Sequence, residues 1–317
     1  MEAVMQPVPA IEAFGERATI LRATILILGM HRSGTSALSH LINMMGAHVG
    51  DGDEVLPPHP VHNPAGYWER ADLVGEHERF LQKHGFDWGR VGGFSFDTIP
   101  AEDVQELRRN LAAICARING GAHPLLIKDP RLCLLLPVWQ SIAAAPVHVF
   151  AVRDPRKIVG SLLKFYYGTF TAQFVLALWQ KYIQAALSAL RGKRVLFVAY
   201  AHLLEEPQIE CARVLAGLSE LGIEGLDAIT QSELNAMLDR KLDRSATPPH
   251  ARLSPTQSDL YDWLVHQCAA AGPVTVGDLP PFDAPDEILR ELESVREESA
   301  RRGFVMAAQR GQAPAAR

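Results

Sequence analysis

Eight consecutive residues carry the first chemical signal: Gly29-Met30-His31-Arg32-Ser33-Gly34-Thr35-Ser36. Gly29 and Gly34 permit the positive φ values of a tight turn. In such a turn successive backbone N–H groups point inward, and a helix starting just after it adds partial positive charge. The combination seats a phosphate. The hydroxyls of Ser33, Thr35 and Ser36 add donors, and Arg32 adds a fixed cation. Two further cations end apolar runs: Lys128 after Leu125-Leu126-Ile127, and Arg153 after Val147–Val152. A cation at the C-terminal end of a strand sits where open α/β sheets bind ligands.

These groups require strands that end beside one another. Ala23 to Leu28 is a nearly continuous apolar run ending in Gly29, the pattern of a strand buried on both faces. Leu38, Leu41, Ile42 and Met45 follow helical spacing, so a helix starts near Gly34. Pro124–Ile127, Val147–Val152 and Val195–Ala199 read as three more strands. Helical patterns lie between them: Val104 to Ile118, Leu132 to Ile142, a segment from about Pro155, and Val175 to Leu190. Strands separated by helices imply crossover connections and a parallel sheet. The fold class expected is α/β: a P-loop-like three-layer fold with a central parallel sheet flanked by helices.

Residues 46–100 break this rhythm. Pro57, Pro58, Pro60 and Pro64 interrupt regular structure, and His48, His59, His62, Tyr67, Trp68 and Trp88 punctuate the stretch. A short helix is expected from Arg70 to His84. A long irregular insert in a compact domain is more often functional than a linker. After Pro207 the chain reads as helical, and Ser254-Pro255-Thr256-Gln257 resembles a capping box opening a helix to about Ala269. The organisation expected is an N-terminal extension over 1–22, one domain over 23–306 and a frayed tail over 307–317.

Composition narrows the classes. The 317 residues carry 31 Lys+Arg against 36 Asp+Glu, a net charge of −5, with 48% apolar residues. That excludes a disordered chain and argues against nucleic acid as a partner, but not against a local basic pocket. Cys115, Cys133, Cys211 and Cys268 are widely spaced without a CxxC pair, which points to reduced core thiols rather than a disulfide scaffold or zinc module. No signal peptide and no membrane-length apolar stretch are legible, so the expected location is cytoplasmic.

The loop at 29–36 nearly matches the nucleotide-binding P-loop, but Thr35 stands where its lysine belongs. The stretch GMHRSGTSAL resembles instead the 5′-phosphosulfate loop of sulfotransferases that use PAPS (3′-phosphoadenosine 5′-phosphosulfate), especially the bacterial branch with RSGTS. Three more stretches extend the resemblance to about residue 210. It implies that Gly29, Arg32, Ser33, Gly34, Thr35 and Ser36 hold the 5′ end of PAPS. It implies that Arg153 and Ser161, in Arg153-Asp154-Pro155-Arg156-Lys157-Ile158-Val159-Gly160-Ser161, bind the 3′-phosphate. It implies that Lys128 contacts the transferring sulfuryl group, and that Tyr200 lies near the adenine. No copy of the glycine- and lysine-rich C-terminal cofactor motif is present. Arg244 or Arg252 is the candidate replacement, on charge and position.

The resemblance implies sulfuryl transfer from PAPS to a hydroxyl or amine of a small-molecule, glycan or lipid acceptor, with PAP as product and no metal. Arg32 and Lys128 are the cations for the developing charge. The acceptor must lose a proton. The histidine that some branches place two residues after the lysine is here Pro130. Glu69, in Asn63-Pro64-Ala65-Gly66-Tyr67-Trp68-Glu69, is the first candidate base, with His31 and Asp129 as alternatives. Rival readings are a P-loop kinase or NTPase, which lacks its lysine, and a non-catalytic nucleotide-binding module.

Overall fold

The computed structural model describes residues 23–60, 63–118, 123–166, 169–237 and 247–309. The expected extension over 1–22, His62, Arg244 and the end of the tail from 310 lie outside them. Five strands form one sheet: β1 (Thr24–Leu28), β2 (Leu125–Lys128), β3 (Val147–Val152), β4 (Arg194–Ala199) and β5 (Val274–Thr275). Their order is β2-β1-β3-β4-β5, with the first four parallel and β5 antiparallel to β4.

Alternation within the strands builds two cores. Leu26, Leu28, Leu125, Ile127, Phe150 and Phe197 enter one cluster, while Ile25, Ile27, Leu126, Val149 and Leu196 enter the other. Both faces are therefore covered, which is why the strands read as continuous apolar runs rather than alternating ones. The second cluster packs under α1 (Thr35–Met44) through Leu38, Leu41 and Ile42. α7 (Tyr200–Glu205) follows β4; beyond it, α8 (Pro207–Glu220) and α9 (Gln231–Met237) complete that layer through Val214, Leu218 and Leu234.

The larger cluster lies under α2 (Ala71–Lys83), α3 (Ala101–Arg117), α4 (Leu132–Ile142), α5 (Pro155–Phe165) and α6 (Ala172–Ala189). α10 (Pro255–Cys268) and α11 (Asp286–Gln309) close this face at its C-terminal end. Trp139, Trp179 and Tyr182 are fully buried in it.

Most expected elements appear within a residue or two of their predicted limits. The capping box is present: the Ser254 hydroxyl accepts from Gln257 N–H, and the Gln257 side chain accepts from Ser254 N–H. Two departures have local causes. The C-terminal part is not all helical, because Val274 and Thr275 pair with Val195 and Arg194 as an antiparallel edge. Two residues are too few to show a period in sequence. α11 also runs to Gln309, past the start of the expected tail at Ala307.

The strand order reverses between β1 and β3, so their C-terminal ends open a crevice. The 29–36 loop leaves β1 there, Arg153 follows β3, and Lys128 ends β2 in register with Ile27. Tyr200, directly after β4, opens α7 (Tyr200–Glu205).

Candidate active site

The cleft at the crevice is lined by His31, Arg32, Gly34, Thr35 and Ser36 of the loop, Tyr67 and Glu69 of the insert, and Lys128, Arg153, Ser161 and Tyr200. Sequence-distant candidates thus meet in one place.

The loop has the conformation its glycines imply. Gly29 and Gly34 hold φ of 141° and 92°, and Arg32 itself sits at 69°, an uncommon value for a residue with a Cβ. Gly34 is the N-cap of α1 and offers no side-chain acceptor, and no acidic residue lies in the first turn. The N–H groups of that turn therefore face the cleft without a built-in anion.

Two guanidinium groups crowd the same corner. The Arg32 Nε donates to Ser161 Oγ at 2.8 Å, and Arg153 Nη1 donates to the Arg32 carbonyl at 2.7 Å. The Arg153 guanidinium lies over the Tyr200 ring, 4.8 Å from its centroid, and that of Arg32 lies 5.1 Å from the centroid of Phe165. Burial and the neighbouring Arg153 both lower the Arg32 pKa. Two like charges held together by ring faces and a hydroxyl are arranged for a shared anion. Lys164 also lines the cleft, and Glu69 is the one carboxylate among the lining residues. Asp154 caps α5 and pairs with Arg156.

The Lys128 ammonium is almost fully buried and donates to the Glu69 carboxylate and, at 3.2 Å, to Ser36 Oγ. Burial pushes the Glu69 carboxyl above its ordinary pKa, Lys128 opposes this, and Asp129 adds to it. Ser36 is a junction. Its hydroxyl donates to the Tyr67 carbonyl and accepts from Asn63 Nδ2 and Lys128 Nζ, each at 3.2 Å. One donor and two acceptor sites are thereby filled. The Ser36 side chain ties the insert and β2 to α1, and leaves its backbone N–H for an anion. Trp68, at φ 58°, stacks on His40 of α1 with ring centroids 4.3 Å apart and fixes the other side of that loop.

The two alternative bases have other environments. Asp129 is buried and faces away from the cleft lining: its oxygens accept from His77 Nδ1 at 2.8 Å and from Arg131 N and Nη1 at 2.9 Å. Trp139 Nε1 donates to His77 Nε2 at 3.0 Å, which places the His77 proton on Nδ1. Burial opposes the Asp129 charge, but Arg131 and His77 outweigh it and hold the carboxyl well below the usual range. Asp129 is therefore an anchor for the end of β2, which corrects its candidacy as a base. His31 lines the cleft, packed on Trp88 and Tyr182 with centroids 4.7 and 6.0 Å away. Burial, then Arg131 and the other nearby cations, push its pKa down to about 3, so it stays neutral near pH 7.

Arg252 is exposed and does not line the cleft. Among the described residues no cluster of three or more His, Cys, Asp or Glu side chains is placed to hold a metal. The sequence reading missed Lys164 and Phe165. Their spacing from Ser161, three and four residues on along α5, was the available signal. It also missed the His77–Asp129–Arg131 network, for which sequence distance leaves no signal.

The sequence matches a family model described as "Sulfotransferase family" over residues 24–221, more than half of the chain. A search among curated proteins returns no match. Among solved structures, similarity is found to the sulfotransferase domain of the Synechococcus PCC 7002 olefin synthase, at 16% identity over 87% of this chain and 96% of that one, with a TM-score of 0.40. The sulfotransferase STF9 from Mycobacterium avium aligns at 13% identity over 82% and 79% of the two chains, with a TM-score of 0.48. The family match spans the 29–36 loop, the insert with Glu69, and Lys128, Arg153 and Tyr200 together, and the chain belongs to the sulfotransferase family.

Proposed function

We propose that the protein transfers a sulfuryl group from PAPS to a hydroxyl or amine of an acceptor, by in-line displacement that needs no metal. The observation that carries this is the juxtaposition of the Arg32 and Arg153 guanidiniums with the uncapped N-terminus of α1. The residues fit a nucleotide with two anionic ends: the cleft has four cationic side chains, and Gly34 lets the Tyr200 ring approach the loop closer than any Cβ would allow.

When bound, PAPS supplies an activated sulfuryl group on a phosphate leaving group. The N–H groups of the 29–36 loop and the Arg32 guanidinium hold the 5′ end. Arg153 forks onto the 3′-phosphate, and Ser161, which accepts from Arg32, retains its own proton to donate there. Tyr200 borders the adenine. Lys128 stabilises charge on the moving group. Glu69 takes the proton from the acceptor oxygen or nitrogen. Ser36 Oγ and the Glu69 carboxylate hold the Lys128 ammonium. Acceptors of the small-molecule, glycan and lipid classes and a cytoplasmic location are the working assignments. Among the described residues no helix is long and apolar enough to cross a membrane.

The test is calorimetric titration with PAP, ADP and ATP, without added metal, followed by product mass analysis with pooled acceptors. PAP should bind most tightly. Arg153→Ala should weaken PAP far more than adenosine 5′-phosphate, which lacks the 3′-phosphate. Equal losses for both ligands would remove Arg153 from that role.

Gly34→Ala tests the loop itself. An added Cβ would lie 2.4 Å from Tyr200 Cδ2 at a φ of 92°. Strain of this kind costs about 1–3 kcal/mol. A lower Tm and loss of PAP binding are expected. Native values for both would show that the loop accommodates a side chain.

A further inference from the structure

A second recess, with a volume of about 410 Å³, is lined by Trp88, whose ring packs on His31. That is within the range of small-molecule sites, roughly 300–1,000 Å³. Its floor is aromatic: Trp88, Tyr166 and Phe170, with centroids between 5.1 and 5.6 Å apart. Its rim is polar: Glu78, Gln82, Asp87, Thr169 and Arg296. No aliphatic side chain lines it among the described residues.

The recess is joined to the transfer site. Glu78 pairs with Arg131, Arg131 pairs with Asp129, and Asp129 follows Lys128 in the chain. Trp88 packs on His31, which lines the cleft, and Tyr166 follows Phe165, which lines it too.

We propose that this recess is the distal subsite for the acceptor and takes a hydroxyl-rich sugar ring without negative charge. The inference rests on the sulfuryl-transfer function for its role, but the sugar site is measurable by itself. Three physical features select the class. An aliphatic lipid or steroid finds no aliphatic wall here. A planar phenol fits the floor but brings a single hydroxyl to a rim of five polar side chains. A sugar ring lays its C–H face on the aromatic floor and donates hydroxyls to the rim. The rim oxygens are already oriented: Asp87 Oδ1 accepts from Gly89 N–H at 2.7 Å, and Arg296 Nη1 donates to the Gly89 carbonyl at 3.2 Å while its guanidinium covers Phe170 and Phe174. Glu78 and Asp87 repel an anionic ring. The cleft, with four cations around Glu69, has the opposite sign, so donor and acceptor sort by charge.

Saturation-transfer NMR on the full chain, with methyl glucoside, glucosamine, glucuronate and phenol as probes, tests this, with PAP titration run in parallel. Methyl glucoside and glucosamine should bind, and glucuronate and phenol should bind at least about tenfold more weakly. Asp87→Asn keeps the acceptor for Gly89 N–H and removes the charge, so glucuronate should gain and glucosamine lose. Trp88→Leu should abolish sugar binding while PAP binding reports that the fold persists. Equal binding of glucuronate and the glucoside, preference for phenol, or unchanged sugar binding in Trp88→Leu overturns the proposal. If wild-type protein binds sugars but not PAP, the sulfuryl-transfer function fails and the recess loses its acceptor role, while the sugar site itself stands.

Discussion

Lys128→Met should lower kcat by ~10²–10³ while PAP affinity changes far less. The asymmetry follows from what each ligand lacks. PAP has no sulfuryl group, so removing a cation that acts on that group leaves most of the product contacts with Arg32, Arg153 and the loop intact. The substitution also breaks a buried ion pair, because Glu69 then has no ammonium beside it. Losing one partner of such a pair commonly costs about 3–5 kcal/mol. A fall in Tm is therefore expected for the single variant and could be mistaken for the cause of inactivity. The double variant Lys128→Met/Glu69→Gln separates the two effects. It removes both charges, so Tm should recover, while turnover should fall well below that of Glu69→Gln alone. Equal turnover in the double variant and in Glu69→Gln would show that Lys128 only supports the fold.

The strands and the loop were legible because their signals are local. β1 is apolar at every position because both its faces are buried, and Gly29 and Gly34 mark the turn that follows. Arg153 and Ser161 were paired through the resemblance to sulfotransferases, with which their spacing agrees, and both lie in the cleft. β5 was not legible, since its two residues owe their conformation to pairing with β4 across the sheet edge.

The site's second layer was hidden for the same reason. Asp129 stands next to Lys128 in sequence and reads as a neighbouring carboxylate free to act. Its partners are His77 and Arg131, and His77 comes from a helix 52 residues away in sequence. Only the packing of α2 against α4 decides that this carboxylate points into the core. Ser36 shows the converse. Its position in the loop marks it as a phosphate ligand, yet the insert's Asn63 and Tyr67 fill its hydroxyl from outside the loop. Local sequence places a side chain on an element, and distant sequence decides where it is used.

Glu69→Gln should lower kcat by ~10²–10⁴, the usual cost of losing a general base. Glutamine keeps an oxygen for the Lys128 ammonium and the volume of the side chain, so PAP binding should persist, while loss of the counter-charge beside the buried ammonium should lower Tm. The pH dependence makes the test specific. A general base works only when ionised, so the rate falls as pH drops through its pKa. Burial raises the Glu69 carboxyl above the ordinary value of 4.5, with Lys128 opposing, so the acid limb should lie above the range of an exposed glutamate. His31, pushed down to about 3, would place such a limb well below it. In wild type the rate should rise with pH through a limb above 4.5, and in Glu69→Gln that limb should vanish from the residual rate. A limb near pH 3 that survives in Glu69→Gln and disappears in His31→Gln would transfer the role to His31. The Lys128 ammonium also bears on the base directly, since a carboxylate held on a cation gives up basicity. When a sulfuryl group takes that ammonium, Glu69 is released to accept a proton. The limb should therefore shift to higher pH in the PAPS complex, measured on kcat, than in the free enzyme, measured on kcat/KM.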